Sequence, residues 1–111
     1  MSTPEMDVEE GRRRFAAGAL LLDVREPNEW DAGHVEGARW IPLGDLAARY
    51  EELPRDREIV VICRSGGRSA KATDALVQLG FSAMNLAGGT QAWAEHGHPL
   101  VAADGSPGEV A

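Results

Sequence analysis

The sequence predicts an α/β fold assembled from parallel β/α units, and three observations carry that prediction. Short apolar runs of strand length recur at residues 19–22, 58–62 and 83–86. Stretches of helical period lie between them, the alternation expected of strands joined by crossover helices. The middle run, Glu58-Ile59-Val60-Val61-Ile62, is β-branched at four consecutive positions, the pattern of a strand covered on both faces.

Each element follows in order. Asp7 with Glu10 three residues on has the form of a capping box, opening a helix that runs to about Ala17 and stops at Gly18. Gly11 inside that helix weakens it by ~1 kcal/mol relative to alanine. Ala19-Leu20-Leu21-Leu22 then leads into Asp23-Val24 as a buried strand. Residues 25–33 read as a loop with one helical turn at 28–31, and Arg39-Trp40-Ile41 as a brief strand ended by Pro42. Leu43, Leu46, Ala47 and Tyr50 share a helical face, with Pro54 at the exit. After the strand at 58–62 comes Cys63, a turn of small residues, and a helix whose apolar face is Ala72, Ala75, Leu76 and Leu79, stopped by Gly80. Residues 83–86 form the last strand, Gly88-Gly89 a turn, and Thr90 the N-cap of a helix carrying Trp93. From His98 onward Pro99, Gly105, Pro107 and Gly108 predict a fraying tail.

Length and composition set bounds on function. With 111 residues, 43% hydrophobic and 26% charged, residues 1–111 fit one globular domain, its core at about 7–100 and a flexible tail at 101–111. No apolar run approaches the ~20 residues of a membrane span. The acidic, polar stretch 1–10 lacks the basic start and apolar run of a secretory signal, so the cytoplasm is the expected location. A net charge of −7 argues against a nucleic-acid partner. Arg64, Arg68 and Lys71 are a local exception around Cys63, suited to attracting a small anion. One cysteine excludes an internal disulfide and any multi-cysteine metal site. Nor do the histidines form a metal pattern: His34 is remote, and the two-residue spacing of His96 and His98 does not bring side chains together on a helix.

The chemistry gathers at Ile62-Cys63-Arg64-Ser65-Gly66-Gly67-Arg68-Ser69. This segment leaves the carboxyl end of a strand, where open α/β sheets place their ligand sites. Gly66 and Gly67 let the backbone curl so that successive N–H groups point inward, and the next helix adds its free N–H groups and positive dipole end. A free cysteine of pKa ~8.5 is only ~3% thiolate at neutral pH, and a downward shift of ~2 units, or ~2.7 kcal/mol, makes it mostly thiolate. A helix terminus alone contributes ~0.3–1 kcal/mol. Several convergent N–H bonds and the nearby arginines are therefore required. The competing reading, a small core residue at a strand end, fits poorly with two arginines inside the next five positions.

Four motifs in this order make residues 7–100 resemble a rhodanese domain. They are Asp23-Val24-Arg25-Glu26 followed by Glu29; Gly33-His34-Val35-Glu36-Gly37-Ala38 before Ile41-Pro42; the loop Cys63-Arg64-Ser65-Gly66-Gly67-Arg68; and Gly88-Gly89-Thr90-Gln91-Ala92-Trp93. The resemblance implies an α/β fold with a central, mainly parallel five-stranded sheet flanked by helices on both faces. It implies catalytic Cys63 and a sulfur cradle formed by Arg64, Ser65, Gly66, Gly67 and Arg68, with the Arg68 cation helping to bind an anionic donor such as thiosulfate. Cys63 would take a sulfane sulfur as a persulfide and pass it to a thiol, cyanide or an acceptor protein, with no metal or organic cofactor. Arg25 and Glu29 are expected to pair and brace their loop, His34 to hydrogen-bond backbone, and Trp40 and Trp93 to pack.

Three alternatives stand beside it. Phosphatases and arsenate reductases of the same fold use a longer loop, with arginine after five intervening residues; here Arg68 follows after four, and the arginine position holds Ser69. A non-catalytic binding module would be expected to lack the cysteine or the glycines. A protein-to-protein sulfur relay uses the same residues as free turnover.

Overall fold

The structure is a computed structural model and describes residues 2–111. Its elements are β1 (Glu5–Met6), α1 (Val8–Ala16), β2 (Leu20–Asp23), α2 (Pro27–Ala32), β3 (Arg39–Trp40), α3 (Leu43–Arg49), β4 (Ile59–Ile62), α4 (Gly67–Gln78), β5 (Ala83–Leu86) and α5 (Gly89–Glu95). A 3₁₀ turn at Tyr50–Glu52 extends α3. The five strands form one sheet in the order β1-β5-β4-β2-β3, and every pairing is parallel.

Strand alternation sorts the core into two layers. Leu22, Ile59 and Val61 face one side, against Leu46 of α3 and Ala72 and Leu76 of α4. Leu21, Val60 and Ile62 face the other, with Val8 of α1 and Trp93 of α5. Helices thus cover both faces, as the uniformly apolar β4 requires. Gly11 gains a reason: a Cβ there would lie 2.7 Å from Leu86 Cδ1, so its absence seats α1 close on β5. Asp7 does cap α1 by accepting from Glu10 N–H at 2.9 Å. The Glu10 carboxylate, however, holds Arg13 and Arg14 at 2.6 and 2.8 Å.

Several local expectations are corrected. The short β1 had no sequence signal of its own. α2 is longer than one turn because Pro27 is preset for the first helical position and Glu29 reaches back to Glu26 N–H at 3.0 Å. α4 turns Ser69, Ala72, Thr73 and Leu76 inward, leaving Ala75 and Leu79 exposed. Two small hydroxyl residues hid the true face, since Thr73 meets its need by donating to Ser69 O at 2.7 Å. Gly88, with φ +82, is the N-cap of α5, and Thr90 lies buried inside the helix. His96 and His98 both reach Glu9 Oε1, at 3.2 and 2.6 Å, because Gly97 turns the chain between them.

The tail folds back onto the domain. Val101 pairs with His34 on one side and Pro107 on the other. Glu109 N–H bonds Ala32 O at 3.0 Å, and a Cβ on Gly108 would sit 2.7 Å from Gly33 Cα. The glycines and prolines that suggested disorder build a reversal at Gly105 (φ +86) and allow close backbone approach. Among the described residues, no helix is long and apolar enough to cross a membrane.

Candidate active site at the end of β4

From β2 the chain moves outward to β3, and from β4 it moves the opposite way to β5. The carboxyl ends of these two neighbours therefore flank a topological switch point, where such sheets bind ligands. Cys63 is the residue after β4. It is a free thiol with 1% of its surface exposed.

Its sulfur is surrounded by donors. Gly66 N–H points to Sγ at 3.1 Å and Ser69 Oγ donates to it at 3.3 Å. Burial pushes the thiol up, but the Ser69 hydroxyl and the N–H groups of Ser69, Gly66 and Ser65 outweigh that push and hold it below its ordinary value. Gly66 caps α4 at φ +109, a conformation natural to glycine, and this curls the loop over the sulfur.

Main-chain groups of the neighbouring segment anchor the loop from outside. Thr90 N–H bonds Cys63 O at 2.8 Å and Gln91 N–H bonds Arg64 O at 3.0 Å. Gly89 faces the same two carbonyls so closely that any Cβ there would overlap them, and its φ is +58. Turning the carbonyls away leaves the N–H groups facing the sulfur.

The cations do not converge as the sequence suggests. Arg68 forms a bidentate pair with Glu29, at 2.6 and 2.8 Å. That bond holds the Glu29 carboxyl at about 2, well below its ordinary 4.5, and raises Arg68 in turn. Arg25 does not pair with the Glu29 side chain. Fully buried, it grips Asp23 through Nε and Nη2, the latter at 2.8 Å, and donates to the Glu29 and Gly33 carbonyls. Asp23 on β2 is simply nearer, and it leaves Glu29 free to reach α4. Arg64 is exposed, its Nε on Ala111 O at 2.9 Å. Lys71 lines a separate groove of about 380 Å³ between α3 and α4, with Leu43, Tyr50 and Leu76. Ser65 and Gly67 are exposed at the loop's outer edge.

His34 bonds Trp30 O through Nδ1 at 2.9 Å and stacks on the Trp30 ring, with centroids 3.6 Å apart. Trp40 Nε1 donates to Arg25 O at 2.8 Å, and Trp93 Nε1 to Pro99 O at 3.1 Å. Sequence reasoning missed the sulfur-facing role of Ser69 and the bond from Asn85 Nδ2 to Gly66 O at 3.2 Å. An asparagine inside the apolar run Ala83-Met84-Asn85-Leu86 was the available signal.

The family model for the rhodanese-like domain matches residues 7–96. The chain belongs to the rhodanese-like family. A curated sulfurtransferase of Allochromatium vinosum is 41% identical over 104 residues, covering 91% of this chain and 97% of that protein. A chloroplastic thiosulfate sulfurtransferase of Arabidopsis thaliana is 36% identical over 99 residues, covering 78% and 82%. The crystal structure of a rhodanese-related protein from Thermoplasma volcanium superposes with a TM-score of 0.84 at 36% identity, over 88% of this chain and 97% of that one. In this rhodanese-like domain the first, third and fourth motifs lie at the carboxyl ends of β2, β4 and β5, and the second leads into β3 from its amino end. The first closes β2 and supplies Glu29 to Arg68, the second joins α2 to β3, the third cradles Cys63, and the fourth holds the cradle's carbonyls.

Proposed function

We propose that this rhodanese-like domain is a sulfurtransferase whose Cys63 carries a sulfane sulfur as a persulfide. The observation that carries the reading is the buried Cys63 sulfur receiving Gly66 N–H and Ser69 Oγ in a short loop. Its relatives named as sulfurtransferases support the same chemistry.

With thiosulfate as donor, the Cys63 thiolate attacks the outer sulfur. A new S–S bond forms to Cys63, the old S–S bond breaks, and its electron pair leaves on sulfite. The terminal persulfide sulfur takes the place the N–H groups face, where they stabilise its negative charge as they stabilise the thiolate. An incoming thiolate or cyanide then attacks that outer sulfur, and the pair of the breaking bond returns to Cys63. A thiol held below its ordinary value serves as nucleophile in the first step and leaving group in the second. Of the loop's two arginines, Arg68 is the one that feels the Cys63 charge, so it steers the anionic donor while paired with Glu29, and Arg64 extends to Ala111 O. Residues 64–68 form the substrate-binding loop, mostly through backbone.

The phosphatase alternative asks for an arginine where Ser69 stands, and Ser69 is turned inward to the sulfur. Treating the protein with thiosulfate, polysulfide or a persulfide donor and weighing it intact is the direct test. The expected product is one sulfur atom heavier, and Cys63→Ser shows no gain. A wild-type protein that takes sulfur from none of these donors refutes the reading, as does turnover of p-nitrophenyl phosphate without sulfur loading. A panel of cyanide, small thiols and acceptor proteins then separates free turnover from relay.

A further inference from the structure

We propose that Asn85, braced by Glu5, is a positioning residue that holds the Gly66 N–H on the Cys63 sulfur and so helps set the thiolate's acidity. This rests on the persulfide reading only for its functional consequence.

Asn85 lies on β5, one strand from Cys63, and is 1% exposed. Its Nδ2 makes two bonds, to Glu5 Oε2 at 2.9 Å and to Gly66 O at 3.2 Å. Glu5 stands directly beside it, since the two are register partners in the β1–β5 pair. Across the loop, Gly66 N–H meets Cys63 Sγ at 3.1 Å. A continuous path therefore runs from β1 through β5 to the sulfur.

The loop needs such a restraint. Gly66 at φ +109 permits the curled conformation without enforcing it, because glycine samples positive and negative φ almost equally. Holding the Gly66 carbonyl limits rotation about the residue and thereby aims its N–H. Ala70 N–H also bonds this carbonyl, at 3.1 Å, but as the first turn of α4 it moves with the loop. Asn85 is fixed to the sheet instead.

A further detail separates this role from simple packing. Asn85 Oδ1 is buried and has no hydrogen-bond partner among the described residues. A buried amide with half its capacity unmet is costlier than an apolar side chain of similar shape. What the amide adds is the aim of Nδ2. The side chain's orientation is settled by that same pattern, since Nδ2 faces two oxygens.

The test measures the pH dependence of Cys63 alkylation by iodoacetamide in the full chain, where the lone cysteine is the only thiol. Asn85→Leu is expected to raise the apparent thiolate pKa by about half a unit to one unit, the scale of one neutral hydrogen bond. Alkylation then slows about three- to tenfold on the acid side, while the limiting rate at high pH is unchanged. Removing the Glu5 charge would itself favour the thiolate, so two variants separate charge from bracing. Glu5→Gln keeps an acceptor and Glu5→Ala does not, and the pKa of the alanine variant should lie above that of the glutamine variant. A folded Asn85→Leu protein with the wild-type profile overturns the proposal. If that variant fails to fold, equal pKa values for the Ala and Gln variants overturn it instead. Sulfur loading is scored separately: a protein that never loads sulfur refutes the transfer reading, whereas the alkylation profile decides the role of Asn85.

Discussion

Replacing Ser69 with alanine tests the electrostatics of the site most directly. Ser69 is fully buried, and its hydroxyl stands 3.3 Å from the Cys63 sulfur. The substitution removes that donor while keeping the Ser69 backbone N–H and the small volume of the site. A hydrogen bond to a charged acceptor is worth about 1.5–3 kcal/mol, and a large sulfur at this distance belongs at the weak end. About 1.5 kcal/mol at 1.36 kcal/mol per unit raises the thiolate pKa by about one unit. The sign follows from what is lost: the hydroxyl lowers the pKa, so its removal raises it. Thiolate absorbance near the far ultraviolet, titrated against Cys63→Ser as blank, reads the shift without contribution from any other thiol. Where both proteins are mainly protonated, the thiolate fraction falls about tenfold, and at alkaline pH the two converge. An unchanged midpoint would refute the claim that Ser69 stabilises the ionised sulfur.

Two further substitutions probe the scaffold. Glu29→Gln removes the partner of Arg68; the carboxyl is held at about 2 against an ordinary 4.5, so its stabilisation is full above about 4.5 and is lost as pH falls through about 2. Because the Arg68 side chain is 36% exposed, that shift is discounted to about 2 kcal/mol. Urea unfolding should show this loss at pH 7 and a gap that narrows towards pH 2; a constant gap would contradict the ion-pair account. Gly89→Ala places a Cβ into the Cys63 and Arg64 carbonyls and is expected to cost about 1–3 kcal/mol by overpacking, read as a lowered Tm together with slower Cys63 alkylation. A variant as stable and reactive as wild type would show that the loop is not held there.

Much of this architecture was legible in the residues because its signals are local. β2, β4 and β5 are apolar runs, and the loop after Ile62 declares itself through a cysteine, two glycines and two arginines within six positions. β1 was not legible, because two residues carry no period and Glu5–Met6 is a strand only by pairing with β5. The partner of Glu29 was misread for a related reason. Arg25 is four residues away and Arg68 thirty-nine, yet Arg25 is taken by Asp23, and only the fold brings Arg68 within reach. The inward face of α4 was obscured because Ser69 and Thr73 are polar yet buried, their needs met locally. In the tail the same glycine and proline signals that mark disorder also mark tight reversals, and only contact with residues 31–34 distinguishes the two.

The clasp between α5 and the loop is made of main chain on both sides: two amides of Thr90 and Gln91 meet two carbonyls of Cys63 and Arg64. Neither of these two bonds uses a side chain, and the Arg64 guanidinium reaches Gln91 Oε1 beside them at 3.5 Å, so the main-chain clasp itself is indifferent to what residues 64 and 65 display outward. Gly67 likewise opens onto free space. Under the proposed sulfur transfer, frame and mouth are therefore separable: exchange at positions 64, 65 and 67 is expected to retune which donor is admitted while the Cys63 sulfur keeps its place. Such a division lets one scaffold drift among cargoes by single substitutions, and it marks these three positions as the natural ones to randomise when a new sulfur donor is sought.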